Sequence, residues 1–130
     1  MGKNDYGKRW EYTKDVIFGR LDKRMREDKL YLDYTLTLPK LSGMTGTNRT
    51  YASRAICGRF RNFRDYVNTL RVENLLSDVQ CGRCCDDIAG DPDEFANKYG
   101  FRTRRSLDRV LVKETGCTYR KIKQRGQDLE

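Results

Sequence analysis

The stretch Leu30–Leu38, which reads LYLDYTLTL, decides the fold predicted for this 130-residue chain. Its four leucines and Tyr34 occupy every second position, and this period of two is typical of a β-strand with one buried face. Pro39 ends the strand, because proline has no backbone N–H to pair. A lone strand needs a neighbour for its backbone groups, so we predict that residues 10–18 pair with it in a hairpin, an amphipathic helix being the alternative. Residues 51–57 are predicted to form a short third strand.

The second half of the chain has the apolar spacing of helices. A helix start is indicated by Asp91-Pro92-Asp93-Glu94, which combines an N-cap acid, a proline in the first turn and a glutamate. Gly100 is a favourable terminator for that helix, and a break is predicted near Gly82. A last helix is predicted over residues 103–123. Two further sets of apolar residues recur at helical intervals: Phe60, Phe63, Val67 and Leu70, then Val72, Leu75, Leu76 and Val79.

Together these elements predict the α+β fold class. We expect a small antiparallel β-sheet of two or three strands in the N-terminal half, packed by three or four helices from the C-terminal half. A length of 130 residues suits one hydrophobic core, which indicates a single domain over residues 1–130. Within it, residues 1–58 are predicted to be mainly β, residues 59–125 mainly α, and residues 126–130 a flexible tail.

Charge is sorted into blocks along the chain, whose formal net charge is +8 at neutral pH. Residues 40–71 contain seven basic side chains and one acid, and residues 98–125 contain ten basic side chains and two acids. Between these blocks, residues 78–94 carry six acids and one arginine. Like charges concentrated in this way repel one another in a compact fold. An anionic partner is therefore the simplest explanation of the basic blocks.

Arginine, whose planar fork of donors matches phosphate and carboxylate groups, supplies most of this basic charge. The first candidate surface is Arg59–Tyr66, RFRNFRDY, where arginines interleave with aromatic rings that could stack on bases. Phe60 and Phe63 also have core spacing, which favours buried rings and leaves the arginines for the partner. The second candidate is the outer face of the last predicted helix. The residues predicted to bind a partner or nucleic acid are Arg54, Arg59, Arg61, Arg64, Arg102, Arg104, Arg105, Arg109, Lys113, Arg120 and Lys121.

The cysteines match a metal site only in part. Cys81–Cys84 has the spacing of two ligands for one zinc ion, and Cys57 and Cys117 could complete a tetrahedral site. A second such pair is missing, and the adjacent Cys85 would compete for the metal. Reduced, semi-buried packing cysteines are therefore the favoured interpretation, and we predict no metal.

The sequence does not indicate catalysis or a bound cofactor. It contains no histidine, which is the commonest general base, and no glycine-rich phosphate loop or nucleophile motif. We therefore predict a protein that is not an enzyme, with no cofactor and no small-molecule substrate. An acidic cluster does not match the spacing of a calcium loop, and helix capping or solvation explains its members: Asp86, Asp87, Asp91, Asp93 and Glu94.

The hydropathy pattern predicts a cytoplasmic protein without a membrane partner. No apolar run approaches the roughly 20 residues that a membrane-spanning helix needs. Residues 1–5 lack the apolar stretch of a secretory signal. In the cytoplasm the five cysteines would stay reduced.

The chain contains four short motifs: YTLTL at residues 34–38, LLSD at residues 75–78, the segment from Asp93-Glu94-Phe95 to Tyr99-Gly100-Phe101, and the helix at Arg105-Ser106-Leu107. Together these motifs resemble a phage-encoded family of small uncharacterised proteins. The resemblance implies a phage or prophage origin and brings no catalytic residues with it. The chain departs from the family ahead of its last helix, where the family tends to be acidic and this chain has Arg102, Arg104 and Arg105.

Binding rather than catalysis is the predicted function. We expect a non-enzymatic phage-type protein that inhibits or redirects a host nucleoprotein machine through its Arg-rich surfaces, as an anti-CRISPR protein does. Its partner would be a host protein or nucleoprotein complex in the host cytoplasm, with or without nucleic acid. The alternative is a basic regulator that binds DNA or RNA directly. A third hypothesis is a structural module held together by zinc.

Overall fold

The computed structural model describes residues 2–81 and 91–128, with side chains described for residues 13–81 and 91–125. Within these ranges the chain forms seven α-helices and a 3₁₀ turn at Leu30–Leu32, and no described residue lies in a β-strand. The helices are α1 Gly2–Glu27, α2 Leu38–Thr45, α3 Arg49–Cys57, α4 Phe63–Gln80, α5 Pro92–Lys98, α6 Arg104–Thr115 and α7 Tyr119–Asp128.

The predicted α+β fold is wrong, because the stretch Leu30–Leu38 does not form a strand. It runs from the 3₁₀ turn to the first residue of α2, and the Thr37 side chain caps α2 by accepting the Lys40 backbone N–H at 3.4 Å. In a strand, Tyr31 would lie on the face opposite the leucines. In the structure Tyr31 is buried, whereas the four leucines are only half-buried. Pro39 lies in the first turn of α2, where its missing N–H breaks no helical hydrogen bond. The alternation therefore belongs to a turn followed by a helix start.

The other two predicted strands are also helical. Residues 10–18 lie in α1, so the hairpin is wrong and the helical alternative describes this segment. Residues 51–57 lie in α3, which begins after Asn48, whose side chain accepts two backbone N–H groups of the first turn. One face of α3 packs inward, with buried residues three and four positions apart. These are Ala52, Ala55 and Ile56.

The second half of the chain is helical, as predicted, but it contains one more break than expected. α4 covers the apolar positions from Phe63 to Val79, and α5 begins after Asp91, whose side chain accepts a first-turn N–H at 3.0 Å. The single helix predicted over residues 103–123 is instead α6 and α7. Gly116 ends α6 because it adopts the left-handed conformation, with φ of 80°. The predicted break near Gly82 lies outside the described residues.

The chain divides into two compact units. The first unit comprises Met1–Leu30 and Thr35–Tyr66, and the second comprises Tyr31–Tyr34 and Val67–Glu130. One boundary between the units, between Tyr66 and Val67, therefore falls within α4. The other two boundaries lie on either side of residues 31–34, so this short segment belongs to the second unit. A single domain with a tail over residues 126–130 stays a prediction.

In the first unit, α1, α2 and α3 pack on one another beside an aromatic cluster. The rings of Phe18, Phe60 and Tyr66 lie with centroids 4.9 to 6.2 Å apart. Tyr66 is fully buried, and its hydroxyl donates a hydrogen bond to Asp22 Oδ1 at 2.8 Å. Burial, together with this bond to a carboxylate, raises the pKa of Tyr66, so the phenol is neutral in the folded protein.

The second unit has a core to which α4, α5, α6 and α7 all contribute. Leu107 and Leu111 form the fully buried face of α6, and Tyr119 anchors the first turn of α7. The ring centroids of Tyr119 and Phe95 are 4.8 Å apart, so α5 and α7 contact each other through aromatic side chains. The buried residues of this core are Val72, Leu75, Phe95, Ala96, Tyr99, Phe101, Leu107, Leu111 and Tyr119.

Arg71 on α4 holds residues 31–33 in place within the second unit. Its guanidinium donates hydrogen bonds to the backbone oxygens of Tyr31 at 2.6 Å and Asp33 at 3.0 Å, and it lies 5.7 Å from the Phe101 ring centroid. Burial lowers the pKa of Arg71 to about 10, which leaves it charged at neutral pH. Gly100 follows α5 with φ of 88°, and a Cβ there would meet the Tyr31 carbonyl oxygen and Arg71 Nε.

We expect the substitution Gly100→Ala to lower the free energy of unfolding by more than about 3 kcal/mol, because it adds a backbone clash to the cost of a left-handed alanine. Gly116→Ala is the matched control. Gly116 also has a positive φ, of 80°, but a Cβ there has nothing within 4 Å, so the loss should be only about 1–2 kcal/mol. Urea unfolding followed by circular dichroism measures both values. Equal losses would contradict the close approach at Gly100.

Candidate functional site

The predicted binding residues are divided between the two units, and each set is described within its own unit. The first unit holds Arg54, Arg59, Arg61 and Arg64. The second unit holds Arg102, Arg104, Arg105, Arg109, Lys113, Arg120 and Lys121.

In the first unit, Arg59 already has intramolecular partners. Its guanidinium pairs with Asp15 at 3.2 Å and lies 4.6 Å from the Phe18 ring centroid. Phe60 is half-buried in the aromatic cluster, so its ring serves the core more than a base-stacking surface. All four predicted residues of this unit are exposed: Arg54, Arg59, Arg61 and Arg64.

Acidic side chains in α1 and directly after it also pair with basic side chains of this helix. Arg24 Nε pairs with Asp28 at 2.8 Å, and Arg26 Nε pairs with Asp22 at 3.0 Å. Exposed pairs of this kind add little stability, but they reduce the positive potential of the surface that carries them. These pairs therefore reduce the positive potential that Arg24 and Arg26 add to the first unit.

In the second unit, Arg104 packs against two aromatic rings that contact each other. Its guanidinium carbon lies 4.8 Å from the Tyr119 ring centroid and 5.3 Å from that of Phe95. Its Nε lies 3.4 Å from Asp108 Oδ2, with 23% of the Arg104 side chain exposed. Arg104 therefore joins α5, α6 and α7, and the structure places it inside this junction rather than on a binding surface.

A three-residue turn, Gly116–Thr118, connects α6 to α7. The second oxygen of the Asp108 carboxylate, Oδ1, accepts the backbone N–H of Tyr119 at 3.1 Å. The same acid thus pairs with Arg104 and satisfies an N–H in the first turn of α7. Because Tyr119 is also fully buried, the start of α7 is fixed on α6.

Outside these contacts, α6 and α7 expose mainly basic side chains. Arg105, Arg109 and Lys113 recur every fourth residue and share one side of α6. α7 exposes three more basic residues together with Gln124, and Glu114 is the one exposed acid among the described side chains of the two helices. We call the exposed basic residues of α6 and α7 the basic set. It consists of Arg105, Arg109, Lys113, Arg120, Lys121 and Arg125.

Sequence reasoning missed Arg125 and Gln124. Both lie four residues after a predicted binding residue, Lys121 and Arg120 respectively, so helical spacing from these two residues could have found them. The predicted residue Arg102 lies in the connection between α5 and α6, where it is exposed and 5.8 Å from the ring centroid of Tyr34.

Three of the described acids of the acidic block have local structural partners. Asp78 accepts a hydrogen bond from the Tyr99 hydroxyl at 3.0 Å, and Asp91 caps α5 as predicted. Asp93 Oδ1 accepts the first backbone N–H of α6 at 2.9 Å. The remaining acids are Glu94, which is exposed, and Asp86 and Asp87, which lie outside the described residues.

The cysteines of the described ranges do not share one environment. Cys117 is buried, in agreement with a packing role, whereas Cys57 and Cys81 are exposed. Cys84 and Cys85 lie outside the described residues. Among the residues that the structure describes, no group of three or more cysteine or acidic side chains could hold a metal ion.

Comparisons with known proteins do not assign a family to this chain. No protein-family model matches the sequence, and neither a curated protein nor a solved structure matches it. The resemblance to a phage-encoded family therefore stays a prediction. In the described part of the chain, no helix combines the length and the apolar character required to cross a membrane.

We expect Arg104→Ala to lower the free energy of unfolding by about 1–2 kcal/mol, because it removes a partly desolvated cation from two ring faces. The neighbouring substitution Arg105→Ala removes an exposed side chain and should change stability by less than about 0.5 kcal/mol. Thermal and urea unfolding of both variants measure the difference. If the two substitutions cost the same, Arg104 does not stabilise the helix junction.

Proposed function

We propose that this protein is a non-enzymatic regulator that binds nucleic acid through the basic set. The observation that supports this proposal is the composition of the exposed surface of α6 and α7, where six basic side chains occur with one acid among the side chains that the structure describes. The opposite side of these helices is buried in the core of the second unit. A rigid, strongly basic surface of this kind is complementary to a phosphate backbone.

The spacing of the α6 residues suits a repeating anionic partner. Arg105, Arg109 and Lys113 follow one another at intervals of about 6 Å along the helix axis. Each arginine can donate two parallel hydrogen bonds to one phosphate, and lysine adds a point charge. Several phosphates could therefore be neutralised together along one side of α6.

The predicted inhibitor of a host nucleoprotein machine would use the same side chains on another partner. We favour nucleic acid, because a phosphate backbone complements every member of the basic set, whereas a protein partner would need a matching acidic cluster. Inhibition of a host machine stays a prediction. The cytoplasmic location stays a prediction from the hydropathy pattern.

We expect the full-length protein to bind a 20-base-pair duplex of random sequence, with an affinity that falls steeply as salt rises. Each neutralised phosphate should contribute about 0.9 to the slope of log affinity against log salt. The double variant Arg105→Gln/Arg109→Gln removes two exposed charges, so it should bind more weakly and have a slope smaller by about 2. Fluorescence anisotropy between 50 and 300 mM salt measures both quantities.

The matched control is Arg61→Gln/Arg64→Gln, which removes the same charge from exposed positions of the first unit. We expect it to leave the slope nearly unchanged. An equal loss in the control would show that the basic set is not the main interface. An absence of binding at 50 mM salt would contradict the proposal, and nuclease-resistant capture of a host protein would then support the inhibitor instead.

A further inference from the structure

Two helices joined by a short glycine-containing turn form the C-terminal part of the second unit. The turn Gly116–Thr118 has three residues, and Gly116 has φ of 80°. This length, with a glycine at the turn, is typical of the helix-turn-helix motif that proteins use to bind DNA. In such motifs the second helix enters the major groove, and the first crosses the sugar-phosphate backbone.

We propose, resting on the nucleic-acid-binding function above, that the ligand is duplex DNA and that α7 is the helix that reads its major groove. The major groove of B-form DNA is about 12 Å wide and admits an α-helix. The corresponding groove of an RNA duplex is too deep and narrow for side chains to read. The helix-turn-helix arrangement therefore favours DNA over RNA as the duplex.

The first turns of α6 and α7 differ in the number of basic side chains that they expose. The first turn of α6 exposes one basic side chain, Arg105, since Arg104 packs against two rings and its backbone N–H donates to Asp93. α7 is fixed by the buried Tyr119, while the next two residues, Arg120 and Lys121, are exposed. In helix-turn-helix proteins, residues near the start of the second helix contact base edges. α7 meets this requirement, and α6 supplies basic side chains for phosphates.

The exposed side chains of α7 have the chemistry of base recognition. Arginine can form two hydrogen bonds with guanine O6 and N7, and glutamine can form two with adenine N6 and N7. Arg120 and Gln124 are separated by about 40° around the helix and about 6 Å along it. That distance corresponds to about two base-pair steps of 3.4 Å. We therefore infer a preferred site with a guanine and an adenine about two steps apart.

Because the Gln124 side chain is neutral, a substitution there tests contacts with bases without changing the charge of the protein. Selection from a randomised duplex library should enrich a consensus site. Gln124→Ala should lower affinity for that site about tenfold or more and relax the preference for adenine at one position. Its affinity for random duplex and its salt slope should stay unchanged, since no phosphate contact is lost. Gln80→Ala, at an exposed glutamine of α4, is the matched control and should change neither affinity.

The outcomes separate this inference from the proposed function. If binding depends on salt but no consensus site is enriched, α7 does not read the major groove, and the proposed function still stands. The inference about α7 would also be wrong if the base preference at the consensus site were unchanged in both Gln124→Ala and Arg120→Ala. It would likewise be wrong if Arg105→Ala, on α6, relaxed that preference. An RNA duplex that competes as well as the selected DNA would also overturn the inference. If neither random nor selected duplex binds, both the inference and the proposed function are wrong.

Discussion

The carboxylate of Asp108 is the group on which the surface of the second unit depends. One of its oxygens pairs with Arg104, and the other accepts the backbone N–H of Tyr119. Arg104 in turn lies against the rings of Phe95 and Tyr119. A single acid in a strongly basic segment thus joins three helices. As a result, the exposed residues of α6 and α7 are presented by fixed helices rather than by a loop, which is the condition for specific contacts.

Arginine has two different uses in this protein. Arg59, Arg71 and Arg104 place their planar guanidinium groups over aromatic rings within their own units, and Arg71 also holds two backbone carbonyl groups. These arginines stabilise the fold, although each lies within a block of basic sequence. The arginines of the basic set are exposed and offer their donors to a partner. The distinction comes from contacts within the protein and, for Arg71 and Arg104, from partial burial, because the side-chain chemistry is the same.

The proposed DNA interface combines the two kinds of contact that duplex recognition needs. Contacts to phosphates supply affinity that depends on salt and not on sequence, and the α6 side chains suit this role. Contacts to base edges supply specificity and need donors and acceptors at the start of the reading helix, where Arg120 and Gln124 are exposed.

Local interactions were predictable from the sequence, because charge and capping depend on neighbouring residues. The chain by itself determined the net charge, the basic blocks, the helical second half and the helix start at Asp91. It did not determine the state of Leu30–Leu38, because a period of two over nine residues also fits a turn and a capped helix. Only the tertiary structure decided that Arg104 is enclosed while Arg105 is exposed. Adjacent side chains on a helix point about 100° apart, and the direction of the core selects between them.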